Sequence, residues 1–265
     1  MSDYRIKKPD VFSLPLCLDC GQAFRWEQQN NTFCGVAFGK YLKIEETDSE
    51  LIFYNTDKAD FEKIWKPYFD LDTDYRQIVS TYDEENLVKA VTEYSGIRIL
   101  RQEPWEALCS FIISQNNNIP RIKGIVSRLC EKFGENIGGG FTFPSAESLA
   151  YLTPEDLSPL RAGFRAKYII DAARKVTDGT VDFQKIDESP IEFGREELIK
   201  IKGVGAKVAE CTLLYGFHKL SAFPVDVWVK RIMAEMYPNG LPDCMKGTEG
   251  IAQQYLFHYR RNLDK

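Results

Sequence analysis

The spacing of apolar residues changes once along the chain, and this change constrains the fold more than any other feature. Between Cys20 and Asn55 apolar residues come in short runs broken by polar turns. Phe24-Arg25-Trp26 alternates, Gln28 to Asn31 is a turn, Thr32 to Phe38 is apolar and aromatic, Tyr41 to Ile44 alternates again, and Leu51 to Tyr54 is a fourth run. A period of two in runs this short predicts an antiparallel meander. A helix is predicted near Asp57 to Phe69, with Phe61, Ile64, Trp65 and Tyr68 on one side. Beyond residue 75 the intervals become three and four. Helices are predicted over Glu85 to Tyr94, from Pro104 through Ile113, and over Ile119 to Phe133 up to Gly134. Gly138 to Gly140 breaks the chain, and further helices are predicted at 154–160, 165–177, 195–201, 206–216, 225–236 and 247–262. The expected class is α+β: a small antiparallel β-sheet amino-terminal domain over 1–95 and an all-helical region over 96–265.

At 265 residues, 44% of them apolar, the chain is long enough to bury a sizeable core. No apolar run reaches the roughly 18 residues of a membrane helix. The start, MSDYRIKKPDVF, has no apolar core of a secretory signal. Seven scattered cysteines fit free thiols in a cytoplasmic chain. The net charge of −5 speaks against a nucleic-acid partner until its position is considered. Residues 1–100 carry 12 basic and 18 acidic side chains, net −6, and residues 101–265 carry 22 and 21. Residues 195–232 alone are net +3. Binding depends on the charge of one face, so an anionic partner remains open.

The basic stretch is also the most structured in its pattern. Leu198, Ile199 and Ile201 end one amphipathic helix, Lys202-Gly203-Val204-Gly205 makes a tight turn, and a second helix starts at Ala206. Glycines at such a turn leave backbone N–H groups uncovered, beside the positive end of the next helix. This arrangement binds phosphate, although an ordinary helix corner has the same look. Lys207 sits in the first turn of the second helix, and Asp226 follows Pro224-Val225 at the start of another. A lysine and a carboxylate at two helix N-termini can act as nucleophile and as electrostatic partner of a developing cation. Their plain alternatives are a solvated lysine and an N-cap.

LIKIKGVGAKVAE followed by FPVDV resembles the helix–hairpin–helix, Gly/Pro-rich, aspartate (HhH-GPD) motif of base-excision DNA glycosylases, with the hairpin at about 195–216. The lysine after GVG-Ala marks the bifunctional members. More closely, the chain resembles the 8-oxoguanine DNA glycosylase/AP lyase family. Gly21 to Trp26 is similar to that family's GQ[SA]FRW strand, FIISQNNNIPRI to its asparagine-triplet loop, Gly163 to Tyr168 to its G-[YF]-R-A-[RK]-Y segment, and Gly250 to Phe257 to its last helix. The resemblance runs in order from about residue 10 to 262. It implies a TBP-like amino-terminal sheet domain followed by HhH-GPD glycosylase domains.

The resemblance also implies roles. Lys207 would attack C1′ of the damaged nucleotide and form a Schiff base, with Asp226 assisting at the sugar. The target base must leave the duplex first. Phe257 and Cys211 would flank it, the Gly21 carbonyl would meet the N7–H that guanine lacks, and Gln253 would read the Watson–Crick edge. Asn116 would fill the vacated space and Phe164 would wedge beside it. Arg121 and Arg165 would contact the opposite base, and Gly203, Gly205 and Trp228 the DNA backbone. The implied partner is double-stranded DNA containing oxidised guanine, bound by a monomer. No cofactor is implied, and no catalytic metal; the hairpin carbonyls can hold a structural cation.

Two positions depart from the pattern. Trp228 stands where vertebrate relatives have a phosphate-contacting histidine, and Arg260 where they have its acidic partner. Cys17-Leu-Asp-Cys20 lacks the second ligand pair of a zinc site. Only Cys244 follows the catalytic segment, too few for the iron–sulfur loop of endonuclease III-like enzymes. A monofunctional alkylbase glycosylase would not need Lys207, and a non-catalytic hairpin protein would need neither Lys207 nor Asp226.

Overall fold

A computed structural model describes residues 3–263; residues 1–2 and 264–265, at the outer ends of the expected domains, lie outside them. Tyr4–Lys7 (β1), Trp26–Gln29 (β2), Thr32–Ala37 (β3), Lys40–Glu46 (β4) and Glu50–Tyr54 (β5) form one antiparallel sheet in the order β1-β5-β4-β3-β2. Strands β3 to β5 follow the alternation in the sequence, but β2 begins where the expected first run ends: Gln28 and Gln29, expected in the turn, pair with Phe33 and Thr32, and the turn is Asn30-Asn31 alone. Strand β1 has no alternation long enough to announce it. It exists because β5 offers it an edge, with Tyr4 opposite Phe53 and Lys7 opposite Glu50.

Leu42 and Ile44 of β4 and Leu51 and Phe53 of β5 are fully buried on one sheet face. Against them lie Leu14–Leu18 (α1) and a continuous helical segment made of Lys58–Asp60 (α2), a π-helical stretch Phe61–Trp65, and Lys66–Tyr68 (α3). The predicted helix at 57–69 is therefore present, with a wider turn in its middle. Phe61, Ile64 and Trp65 of that turn are buried, and the Trp26 indole donates to Tyr68 Oη at 2.6 Å.

The remainder is helical: Tyr75–Ser80 (α4), Glu85–Glu93 (α5), Pro104–Ser114 (α6), Ile119–Phe133 (α7), Ala146–Ala150 (α8), Arg165–Thr177 (α9), Phe183–Glu188 (α10), Ile191–Leu198 (α11), Ala206–Tyr215 (α12), Val227–Met236 (α13) and Glu249–Asn262 (α14). The helix predicted at 154–160 is instead a turn that closes in a short 3-10 segment, Ser158–Leu160. Asp156 accepts from the Thr153 N–H and hydroxyl there, a side-chain–backbone turn that competes with a helix. Helices α4, α8 and α10 are too short to show a period.

The centre of the helical core is α6. Every residue from Glu106 to Ile113 is buried, as expected of a helix surrounded on all sides. It packs against α7, α9 and α12. The change of core falls between Phe69, which packs with the sheet, and Tyr75, which packs with the helices. Helices α4 and α5, within the expected 1–95 domain, thus pack on the helical side.

The two cores are joined by buried polar side chains. Gln22 donates to the carbonyls of Cys17 and Arg98 and accepts from Leu100 N–H. The Asp70 carboxylate accepts from Thr73, Tyr75 and Arg101 and lies 3.1 Å from His218 Nε2.

Candidate active site

The hairpin turn between α11 and α12 rests on α9. Gly203 has φ +80°, and a Cβ there would fall 2.4 Å from the Tyr168 ring. Only glycine combines that backbone with that approach. The Lys202 N–H donates to Asp171 Oδ2 at 2.7 Å. Gly205 is the N-cap of α12 and brings no side chain, so the first N–H groups of α12 are not capped from that position. The Lys200 carbonyl accepts from the Lys175 ammonium and the Ile201 carbonyl from Val204 N–H. Protein donors thus already serve two of the carbonyls at this turn. Each carbonyl oxygen keeps a second lone pair, so these bonds leave the turn compatible with the structural cation that the resemblance implies.

Lys207 lies in the first turn of α12 and reaches back to α6. Its Nζ donates to Ser114 Oγ at 3.2 Å and stands 5.1 Å from the centre of the Phe111 ring. Asp226 is the N-cap of α13, its Oδ1 accepting from Val229 N–H at 2.9 Å. Both side chains line one cleft of about 900 Å³, together with Gly21, Asn116, Phe164, Gly205, Trp228 and Phe257. The two helix N-termini that the sequence placed 19 positions apart thus open onto the same space.

Of the expected base-pocket residues, Gly21 and Phe257 line this cleft, whereas Cys211 and Gln253 are not among its lining residues. Gly21 has φ +89° and lines it. The carbonyl before it, at Cys20, is taken by Gln254 and the one after it, at Gln22, by Gln102. Phe257 is half-buried on the cleft wall. Cys211, one turn beyond Lys207, is buried. Burial pushes its thiol up to about 11, while the Lys207 charge and hydrogen bond act in the opposite direction. Gln253 is buried and donates through Nε2 to the Pro224 carbonyl at 2.6 Å, and its Oε1 has no partner among the described residues. A buried amide oxygen without a donor costs free energy unless something arrives to satisfy it.

The asparagine triplet divides its work. Asn116 is exposed with φ +46°. Asn117 donates to the Ile113 carbonyl at the end of α6, and Asn118 caps α7 by accepting from Arg121 N–H. Phe164 is 46% exposed, on the cleft rim.

Arg121 is exposed, as a DNA contact requires, but Arg165 is not. Its side chain is buried, and its guanidinium donates to the carbonyls of Gln115, Asn116 and Ala162. The carbonyls at the C-terminal end of α6 have no helical partner and attract a cation. In this structure Arg165 clamps the triplet loop to α9, whereas the expected contact with the opposite base needs its guanidinium free of these carbonyls. Trp228 lines the cleft with the Arg231 guanidinium 5.1 Å from its ring centre. Arg260 pairs with Glu235 of α13 at 2.8 Å, so a cation–carboxylate pair occupies the corner where a histidine–acid pair was expected to be lost.

Ser114 and Phe111 were given no role of their own in the sequence, where they stand only within the FIISQNNNIPRI segment. Among the described residues no cluster of His, Cys, Asp or Glu is arranged to hold a metal. All seven cysteines are free thiols, and burial pushes Cys17 up to about 12 and Cys20 up to about 11. Burial thus disfavours the thiolate form of both. No helix among the described residues is long and apolar enough to cross a membrane.

Comparison with known proteins agrees with this geometry. Residues 5–108 match the family model described as 8-oxoguanine DNA glycosylase, N-terminal domain, and residues 109–245 that described as HhH-GPD superfamily base excision DNA repair protein. The chain is 35% identical to the N-glycosylase/DNA lyase of Saccharomyces cerevisiae, over 88% of this chain and 72% of the yeast protein. Among solved structures it is similar to MBOgg1 in complex with a low-affinity DNA ligand, with TM-score 0.94 and 39% identity over 100% of this chain and 97% of that one. It is also similar to the Clostridium acetobutylicum 8-oxoguanine glycosylase/lyase in complex with double-stranded DNA containing cytosine opposite 8-oxoG, with TM-score 0.90 and 36% identity over 99% of each chain. An HhH-GPD helical region behind an 8-oxoguanine glycosylase sheet domain, matched along its whole length, places this chain in the 8-oxoguanine DNA glycosylase family of the HhH-GPD superfamily.

Proposed function

We propose that this protein excises 8-oxoguanine from duplex DNA and then cleaves the strand at the abasic site, as a bifunctional DNA glycosylase/AP lyase. The observation that carries the reading is the convergence of Lys207 and Asp226, from the N-termini of α12 and α13, on one cleft. In that reading the deprotonated Lys207 amine attacks C1′. The C1′–N9 bond breaks, its electron pair leaves on the base, and the base takes up a proton. Opening of the sugar at O4′ gives a protonated imine. Loss of a C2′ proton then expels the 3′ phosphate by β-elimination. Asp226 stabilises the positive charge that develops at the sugar, while its N-cap bond holds it in place.

The flipped base fits between Phe257 and the Cys211 side of α12. Its N7–H meets the Gly21 carbonyl, and its N1–H and N2–H donors meet the buried Oε1 of Gln253. Guanine would oppose a lone pair to the Gly21 carbonyl, which costs more than one hydrogen bond contributes. Asn116, Arg121 and Phe164 occupy the gap in the duplex, while Gly203, Gly205 and Trp228 face the backbone. The protein acts as a monomer, in the cytoplasm and on the nucleoid where the cell has no nucleus.

The test is a duplex with a single 8-oxoguanine and added borohydride. A covalent adduct forms with the intact protein and is lost in Lys207→Gln. No adduct and no cleavage would overturn the reading. Release of the base that leaves an abasic site intact would favour the monofunctional alternative.

A further inference from the structure

The loop that carries Asp226 is held in part by a side chain that the chemistry above does not use, Glu210. Residues 216–226 separate α12 from α13, so chain connectivity alone leaves Asp226 a wide range of positions relative to Lys207. Glu210 lies on α12, one turn beyond Lys207, and is buried. Its carboxylate accepts from Nε and Nη2 of Arg195 on α11. Its Oε2 also accepts from the Phe223 N–H at 2.7 Å. The next carbonyl, Pro224, accepts from Gln253 of α14, and Pro224 has a ring-fixed φ. The backbone two and three residues before Asp226 is thus clamped on both sides.

We propose that Glu210 is a positioning residue for base excision: it fixes the Asp226 loop to the helix that bears the nucleophile. The proposal rests on the roles given above to Lys207 and Asp226. An ion pair whose arginine is 40% exposed contributes little to stability. What a charged acceptor adds is direction, a short bond to one particular N–H. Here that N–H belongs to the Asp226 loop, and the acceptor belongs to the Lys207 helix. Arg195 brings in the other half of the hairpin, so one carboxylate ties together α11, α12 and the loop.

The consequence is a split between two steps. Excision needs Asp226 beside the sugar. Imine formation at a preformed abasic aldehyde needs only Lys207, because that C1′ is already electrophilic. In Glu210→Leu, single-turnover excision at saturating protein is expected to slow about 10- to 100-fold, the scale of a misplacement of about 1 Å. Borohydride trapping at a preformed abasic site is expected to slow less than about threefold. Glu210→Gln, which keeps an acceptor for Phe223, is expected to recover excision to within about fivefold of the parent. Equal loss in both assays overturns the proposal, as does a folded Glu210→Gln as slow as Glu210→Leu. Should Glu210→Leu not fold, Arg195→Leu takes its place. It leaves the carboxylate loosely held, and excision is expected to fall more than trapping; parallel loss overturns the proposal. Absence of any adduct with the unaltered protein would instead defeat the functional reading itself.

Discussion

Ser114 decides how Lys207 presents itself. The Ser114 hydroxyl donates its hydrogen to the Phe111 carbonyl at 2.8 Å, so it has only lone pairs to offer the lysine. An N–H of Lys207 therefore points at Ser114, which fixes the direction in which the side chain reaches the cleft. Ser114→Ala is expected to slow borohydride trapping about tenfold, because orientation rather than basicity is lost; stopped-time trapping on the 8-oxoguanine duplex measures it. The two arginines are expected to separate in function. Arg121→Ala should change the ratio of excision rates opposite cytosine and adenine. Arg165→Ala should leave that ratio alone and lower stability by about 2–3 kcal/mol through orphaned carbonyls, read by thermal unfolding. A change of the ratio in Arg165→Ala would restore it as a base-contacting residue. That Lys207, Asp226 and Phe257 come to one cleft was legible from motifs. The inward turn of Arg165 was not, because GFRAKY is the same string whichever way the guanidinium points.

At the scale of elements, the hairpin is a turn pressed onto α9. Its geometry depends on contact between Gly203 and the Tyr168 ring and on the bond from Lys202 N–H to Asp171. Gly203→Ala meets both a left-handed backbone and the ring, and is expected to cost about 2–4 kcal/mol and to weaken duplex binding. Adding Tyr168→Ala should return only the part due to the collision, since the backbone strain stays; thermal unfolding of the single and double variants separates the two. Most helices and the strands β3 to β5 were legible because they bury one face and so carry a period, whereas half of β2 falls in the stretch expected as a turn. The strand β1 and helices α4, α8 and α10 are a single turn or a few residues long, and their neighbours rather than their own patterns hold them. The segment 154–160 looked helical by its apolar spacing, but a local hydroxyl–carboxylate turn won.

For the whole molecule, the junction of the two cores sets the response to pH. Burial raises the Asp70 carboxyl, but the His218 imidazole 3.1 Å away, with Thr73 and Arg101, pulls it down to about 2. A carboxyl depressed in the folded state contributes stability that is present above its ordinary range near 4. That contribution is lost as pH falls through this range towards 2. The loss is expected to be on the order of 2 kcal/mol. In Asp70→Asn the slope of stability against pH between about 4 and 2 should flatten, as measured by urea unfolding. No flattening would show that other groups carry the acid limb. The negative charge of the chain sits mainly in residues 1–100, whereas the cleft-lining segments 116–128, 161–175 and 195–232 are locally basic. Duplex affinity should therefore fall gently with salt, with a log–log slope shallower than about −5, as for a small footprint; a slope near −10 would contradict a single basic face.

Sequence by itself determined the class of each long element, the hairpin and the residue types brought to it, because periodicity, turn chemistry and capping act over a few neighbouring residues. Tertiary structure decided which groups meet. Lys207 finds Ser114 across 93 positions, Gln253 finds Pro224 across 29, and Gln254 finds Cys20 across 234. Such pairings follow from how helices pack around α6, and a side chain's direction depends on partners that no local pattern names.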